Sequence, residues 1–128
     1  MDNKNRIFIG EYREFHTERT DLPSMKDFFE DHPYPGQGKI IYFLMHGIPT
    51  LIGMKTCYDI FTGEYISSTT ELLTFGDYEW WKYLAHYVKD YNLRLPPDFE
   101  AYILSISSRE IYENYKRHFR QRKPVTET

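Results

Sequence analysis

Asp77-Tyr78-Glu79-Trp80-Trp81-Lys82-Tyr83-Leu84-Ala85-His86-Tyr87-Val88-Lys89-Asp90-Tyr91-Asn92 is where the hydrophobic period of this chain changes. Apolar residues recur at Trp81, Leu84, Ala85, Val88 and Tyr91, the i, i+3, i+4, i+7, i+10 stripe of a helix lying on a core. Glu79, Lys82, His86 and Lys89 share the opposite face. Asp77 is placed to cap the helix N-terminus, and Asn92 to close it in a left-handed conformation. The reading predicts Trp81, Leu84 and Val88 in the core, with Lys82, His86 and Lys89 exposed. It also divides the chain: residues before Asp77 read mostly as strands, residues after it as helices.

Downstream, Leu95-Pro96-Pro97-Asp98 restarts a helix. Pro97 lies near its first turn and Asp98 beside the positive helix end. Phe99, Tyr102, Ile103 and Ile106 form its buried stripe. Ser107 and Glu110 make a capping box. It opens a last helix to about Arg122, with Ile111, Tyr112, Tyr115 and Phe119 on one side.

Upstream, Arg6 to Glu18 alternates like a long strand interrupted at Gly10. Ser24 and Asp27 resemble a capping box before a short helix that buries Met25, Phe28 and Phe29, and His32-Pro33 stops it. Lys39 to Met45 is apolar on both faces and reads as a central strand. His46-Gly47 supplies a turn, and Ile48 to Tyr58 returns as the partner strand. A second turn at Thr62-Gly63 joins Asp59-Ile60-Phe61 to Glu64-Tyr65-Ile66, and Glu71-Leu72-Leu73 adds a short strand. The fold class expected is α+β: a small antiparallel sheet of three to five strands, a short N-terminal helix and about three C-terminal helices packed on the sheet. Residues 1–123 read as a single domain, and 124–128 as a frayed tail.

The 128 residues, 41% apolar and 27% charged, exclude a disordered, collagen-like or coiled-coil chain. The composition stands out in its 18% aromatic content, with 12 Tyr, 9 Phe and 2 Trp. A net charge of -3 provides no basic field to hold nucleic acid through phosphates. The polar start Met1-Asp2-Asn3-Lys4-Asn5 is unlike a signal peptide. The longest uninterrupted apolar run, Ile40 to Met45, is far short of the roughly 20 residues a spanning helix needs. With Cys57 as its one cysteine the chain can form no internal disulfide. A cytoplasmic location without membrane contact is expected.

Leu73-Thr74-Phe75-Gly76-Asp77-Tyr78-Glu79-Trp80, Leu84-Ala85-His86-Tyr87-Val88 and Tyr91-Asn92-Leu93-Arg94-Leu95-Pro96 together resemble a segment of small uncharacterised bacterial proteins. The shared pattern is a Gly-acid turn, an aromatic helix and a Leu-Pro helix start. The resemblance implies a bacterial origin and brings no function or catalytic residues with it.

The sequence has no phosphate-loop pattern, Gly-x-Gly-x-x-Gly, Cys-x-x-Cys, His-Glu-x-x-His or Gly-x-Ser-x-Gly. Gly36-Gln37-Gly38-Lys39 lacks the hydroxyl residue that follows a phosphate-loop lysine. Glu14, His16 and Glu18 project from one strand face and form the best candidate metal set. At about 7 Å per two residues they cannot all reach one ion on a straight strand. His46, Asp59, Glu64 and Asp77 sit at turns or element ends and form the best candidate acid–base set. No cofactor and no metal are expected.

Two features point to a contact surface. Trp80, Tyr83 and Tyr87 form a second aromatic line beside the Trp81 stripe, and Tyr34 stands among prolines. Trp and Tyr are frequent energetic anchors of protein interfaces. Residues 108 to 128 carry +3, leaving -6 on the rest, and Arg117 and Arg120 are the candidate charged contacts. The expected function is therefore a non-catalytic protein-binding factor, its partner another protein. Immunity and anti-defence inhibitors share this size and build. The alternatives are an enzyme with an acid–base site at the sheet edge, or a weak nucleic-acid binder using residues 109 to 123.

Overall fold

The computed structural model describes residues 5–16 and 18–121. The architecture is α+β, built on a four-stranded sheet in the order β1-β6-β5-β2. Its strands are β1 (Ile7–Ile9), β2 (Ile48–Gly53), β5 (Thr70–Phe75) and β6 (Tyr78–Trp81). A separate hairpin pairs β3 (Cys57–Tyr58) with β4 (Tyr65–Ser67). The helices are α1 (Gln37–Met45), α2 (Leu84–Tyr91), α3 (Pro97–Ser105) and α4 (Ser108–Gln121). The expected short N-terminal helix is a single 3-10 turn, Met25–Phe28, capped by the Ser24 side chain. The sheet is mixed, because β1 runs parallel to β6 while the other pairs are antiparallel.

Two elements change type relative to the sequence reading. Lys39 to Met45 belongs to α1, not to a central strand. Its apolar run is a helix buried around much of its circumference, with Ile40, Phe43 and Leu44 fully enclosed. A short run apolar on every side suits either state. The second difference is Tyr78 to Trp81, which forms a strand instead of the first turn of the long helix. Gly76, at φ +59°, and Asp77 make the β5–β6 hairpin turn. Alternation along β6 then sends Trp80 inward and Trp81 outward, reversing the expected roles of the two tryptophans.

From Leu84 onward the expected apolar stripe holds, but the expected exposure of Lys82 and His86 does not. Leu84, Ala85 and Val88 are buried and Lys89 is exposed, while Lys82 and His86 are half-buried. Asn92 closes α2 at φ 54°. Pro97 opens α3 and Ser107 accepts from the Glu110 amide at 3.0 Å. On α4, Ile111 is buried but Tyr112 and Phe119 are exposed, a narrower stripe than expected. Arg6 to Glu18 holds only the three-residue strand β1 and a 3-10 turn at Arg13–Phe15. The domain end at residue 123 and the tail lie outside the described residues.

The core lies between the inner sheet face and the helices. Phe43 of α1 stacks on Trp80 (5.2 Å between ring centroids) and meets Phe75 and Phe99. The Trp80 indole donates to the Leu44 carbonyl at 3.0 Å, so its polar atom is satisfied inside. At the α1–β2 junction a Cβ on Gly47 would come within 2.8 Å of Trp80 and 2.9 Å of Leu73, so only glycine fits this approach. No helix among the described residues is long and apolar enough to cross a membrane.

Candidate functional site

The outer sheet face carries no helix. Register places Phe8 beside Glu79, and Trp81 beside Leu72, which in turn pairs with Leu51 at the edge. Period-2 alternation therefore sends Phe8, Trp81, Leu72 and Leu51 to the side opposite the core. The β3–β4 hairpin rises next to this face. Between them lies an open cleft of about 820 Å³, whose sheet wall includes Phe8, Leu51 and Trp81 and whose hairpin wall includes Tyr58 and Ile60. Tyr83, its ring nearly parallel to that of Trp81, and Phe15 continue the lining. Leu51, Tyr58 and Met54 are 56%, 58% and 83% exposed. The outermost strand, β2, is followed directly by Met54, and residues 48–54 contain no charge.

The hairpin is held by a buried carboxylate. Asp59, 4% exposed, accepts from the Phe61 and Thr62 amides at 2.7 and 3.0 Å on one oxygen. Its other oxygen faces His86 Nε2 at 2.7 Å and accepts from the Tyr91 hydroxyl at 2.8 Å. Burial pushes the Asp59 carboxyl up, but these bonds outweigh it and bring it down to about 2. The Tyr87 hydroxyl accepts from the Ile60 amide at 2.9 Å, and Phe61 packs edge-on against Tyr87 and Tyr91. Burial first, then the hydrogen bond to Asp59 and the Asp59 charge, push Tyr91 up to about 12.

The candidate acid–base set is dispersed. His46 follows α1, stacks on Tyr42 at 4.1 Å and contacts the Tyr42 carbonyl through Nδ1 at 2.8 Å. Glu64 is exposed at the hairpin turn and Asp77 at the β5–β6 turn. Asp59 does meet a histidine, but it is His86 of α2 and not His46. The other His86 nitrogen, Nδ1, lies 3.5 Å from the half-exposed Asp90. With Asp59 at Nε2 and Asp90 within ion-pair distance of Nδ1, the ring bridges hairpin and helix as a clamp.

The candidate metal set is dispersed as well. Glu14 accepts from the Ser24 hydroxyl and the Met25 amide, His16 pairs with Glu11 at 3.2 Å, and Glu18 is exposed. Burial raises and these hydrogen bonds lower the Glu14 carboxyl, with a net shift down. Among the described residues no group of three or more His, Cys, Asp and Glu is arranged to hold a metal ion.

The aromatic set divides. Trp80, Tyr87 and Tyr34 are 0%, 1% and 8% exposed, which corrects the expectation that they lie on the surface. α1 and α3 cover Trp80, and the hairpin covers Tyr87. Tyr34 donates its hydroxyl to the Leu93 carbonyl at 2.6 Å. Tyr83 remains on the cleft wall. Arg117 is exposed, and the Arg120 side chain lies outside the described residues. The cleft residues that sequence reasoning missed are Phe8, Leu51, Tyr58 and Trp81. Reading Tyr78 to Trp81 with period 2 would have separated the two tryptophans. Nothing in the spacing signals the Asp59–His86 contact, 27 residues apart. The chain matches no family model, no curated protein and no solved structure.

Proposed function

We propose that this chain is a non-catalytic cytoplasmic protein-binding factor, of the neutralising-inhibitor type, which docks its partner on the outer face of the sheet. The observation that carries the reading is the open apolar cleft itself: half-buried Phe8, Trp81 and Tyr83 with exposed Leu51 and the hairpin's exposed Tyr58. Large exposed apolar patches on small soluble proteins mark interaction surfaces, and aromatic residues dominate the energetics of such surfaces. The uncharged edge strand β2 adds unpaired backbone groups, which favours a partner that lays an extended apolar segment along it. Arg117 on α4 acts on the association rate and its salt dependence.

Trp81→Ala and Leu51→Lys test the proposal, because both side chains are on the cleft and outside the core. Each variant is first shown to unfold cooperatively, then compared with wild type for binding of the protein that wild type captures from its host. Loss of a central anchor is expected to weaken binding by about 2 kcal/mol or more. Wild-type affinity in both folded variants would overturn the reading.

A further inference from the structure

A second groove, of about 560 Å³, runs between β1 and the Leu95-Pro96-Pro97 turn that opens α3. We propose that it binds a neutral planar aromatic group, held face-on by the Arg94 guanidinium. The inference does not rest on the partner proposed for the outer sheet face, although Phe8, Gly10 and Glu11 border both hollows.

Arg94 is fixed in two directions. Its edge makes a two-pronged contact with Glu100, Nε to one oxygen at 3.1 Å and Nη2 to the other at 2.7 Å. Glu100 is buried and also accepts from the Leu95 amide at 2.9 Å. The guanidinium carbon sits over the Tyr34 ring, 4.1 Å from its centre. Tyr34 is buried and does not line the groove, whereas Arg94 does. The groove therefore meets a flat cation whose charge is already matched edge-on and whose lower face already rests on an aromatic ring.

The remaining walls are mostly apolar and stiff, Tyr12, Phe28, Pro23, Pro96 and Pro97, with Glu11 among them. Three backbone contacts hold them in place. Arg94 N–H donates to the Phe28 carbonyl at 2.8 Å, Arg13 N–H donates to the Pro23 carbonyl at 2.8 Å, and Phe29 bridges Leu93. The volume falls within the roughly 300–1,000 Å³ of small-molecule sites. Charge decides against an anion, since Glu11 and Glu100 both line the groove against the single guanidinium. A neutral ring needs no counter-charge. It gains a cation–π contact from above, completing a stack of ring, guanidinium and Tyr34. Such a ring can come from a free heteroaromatic compound or from an aromatic side chain of a peptide.

The test uses the full chain with three probes: adenosine for the free compound, N-acetyl-tryptophanamide for the peptide side chain, and inorganic phosphate for an anion. Binding is read from the NMR signals of Arg94 Nε–H and the Leu95 amide. Either ring is expected to shift both signals saturably, and the tighter of the two identifies the source. Arg94→Lys keeps the charge and loses the plane, and is expected to weaken ring binding about three- to thirtyfold. Phe28→Ala, which alters a half-exposed wall residue, should also weaken it and decides the matter if Arg94→Lys fails to fold. The proposal is overturned if neither ring binds, if phosphate binds more tightly than both rings, or if the folded variants bind as wild type does.

Discussion

Replacing Asp59 should expose how the cleft is held together. In Asp59→Ala the Phe61 and Thr62 amides, the Tyr91 hydroxyl and the His86 ring all lose their acceptor in one step. Removing one partner from a buried, hydrogen-bonded charge costs about 3–5 kcal/mol, and that is the expected loss of unfolding free energy. Asp59→Asn keeps an oxygen for the two amides and should cost less. Bringing a carboxyl from its ordinary 3.8 down to about 2 supplies about 2 kcal/mol at neutral pH, and the amide variant lacks this contribution. The sign follows from the depressed folded-state value. The contribution is complete above about pH 4 and is lost as the pH falls through about 2. Urea unfolding at pH 7 gives the first quantity, and the same titration stepped down to pH 2.5 gives the second. The wild-type curve should fall over the acid range more steeply than that of Asp59→Asn. An Asp59→Ala protein within about 0.5 kcal/mol of wild type, the usual range for a surface change, would refute the clamp. Parallel acid limbs for wild type and Asp59→Asn would refute the linkage.

Gly47→Ala should lose about 1–3 kcal/mol by urea titration, since the added carbon must displace Trp80 or Leu73; unchanged stability would show that the close approach relaxes freely. Trp80→Ala should cost about 3–5 kcal/mol, whereas Trp81→Ala should leave the urea midpoint near wild type, and equal losses would contradict the inward and outward assignment of the pair. Absorbance titration of the tyrosines should show Tyr12, Tyr34, Tyr87 and Tyr91 ionising near 12, because burial disfavours each phenolate. Folded values above the ordinary 10.0 mean that stability is complete below pH 10 and declines as the pH rises toward 12. A single transition near 10 with the protein still folded would show those rings to be solvated.

The C-terminal half was legible because its signals are local. Asn92 in a left-handed cap, Pro97 at a helix start and Ser107 bonding the Glu110 amide each involve neighbours in sequence. Lys39 to Met45 failed for a physical reason: a short run that is apolar on every side carries no periodicity to separate helix from strand. Tyr78 to Trp81 failed because two adjacent tryptophans satisfy a helical stripe and a strand alternation equally well. Only Gly76, read as a hairpin turn, could have decided between them. The cleft was half visible, in that Tyr83 was singled out and Trp81 was assigned to the core. The clamp was invisible because Asp59 and His86 belong to different elements that only tertiary packing brings together.

The parallel pairing of β1 with β6 imposes an order on synthesis. Ile7 aligns with Tyr78, 71 positions later, and its amide donates to the Asp77 carbonyl. At a usual 5–20 residues per second, the ribosome delivers that partner roughly 4–14 s after Ile7 itself. Until then Ile7 and Ile9 have no ladder to join, and the β5–β6 hairpin they require does not yet exist. Of the four strands in this sheet, the earliest made is thus among the last to dock. A nascent chain stalled before Trp81 presents an unpaired apolar segment to whatever chaperone waits at the exit.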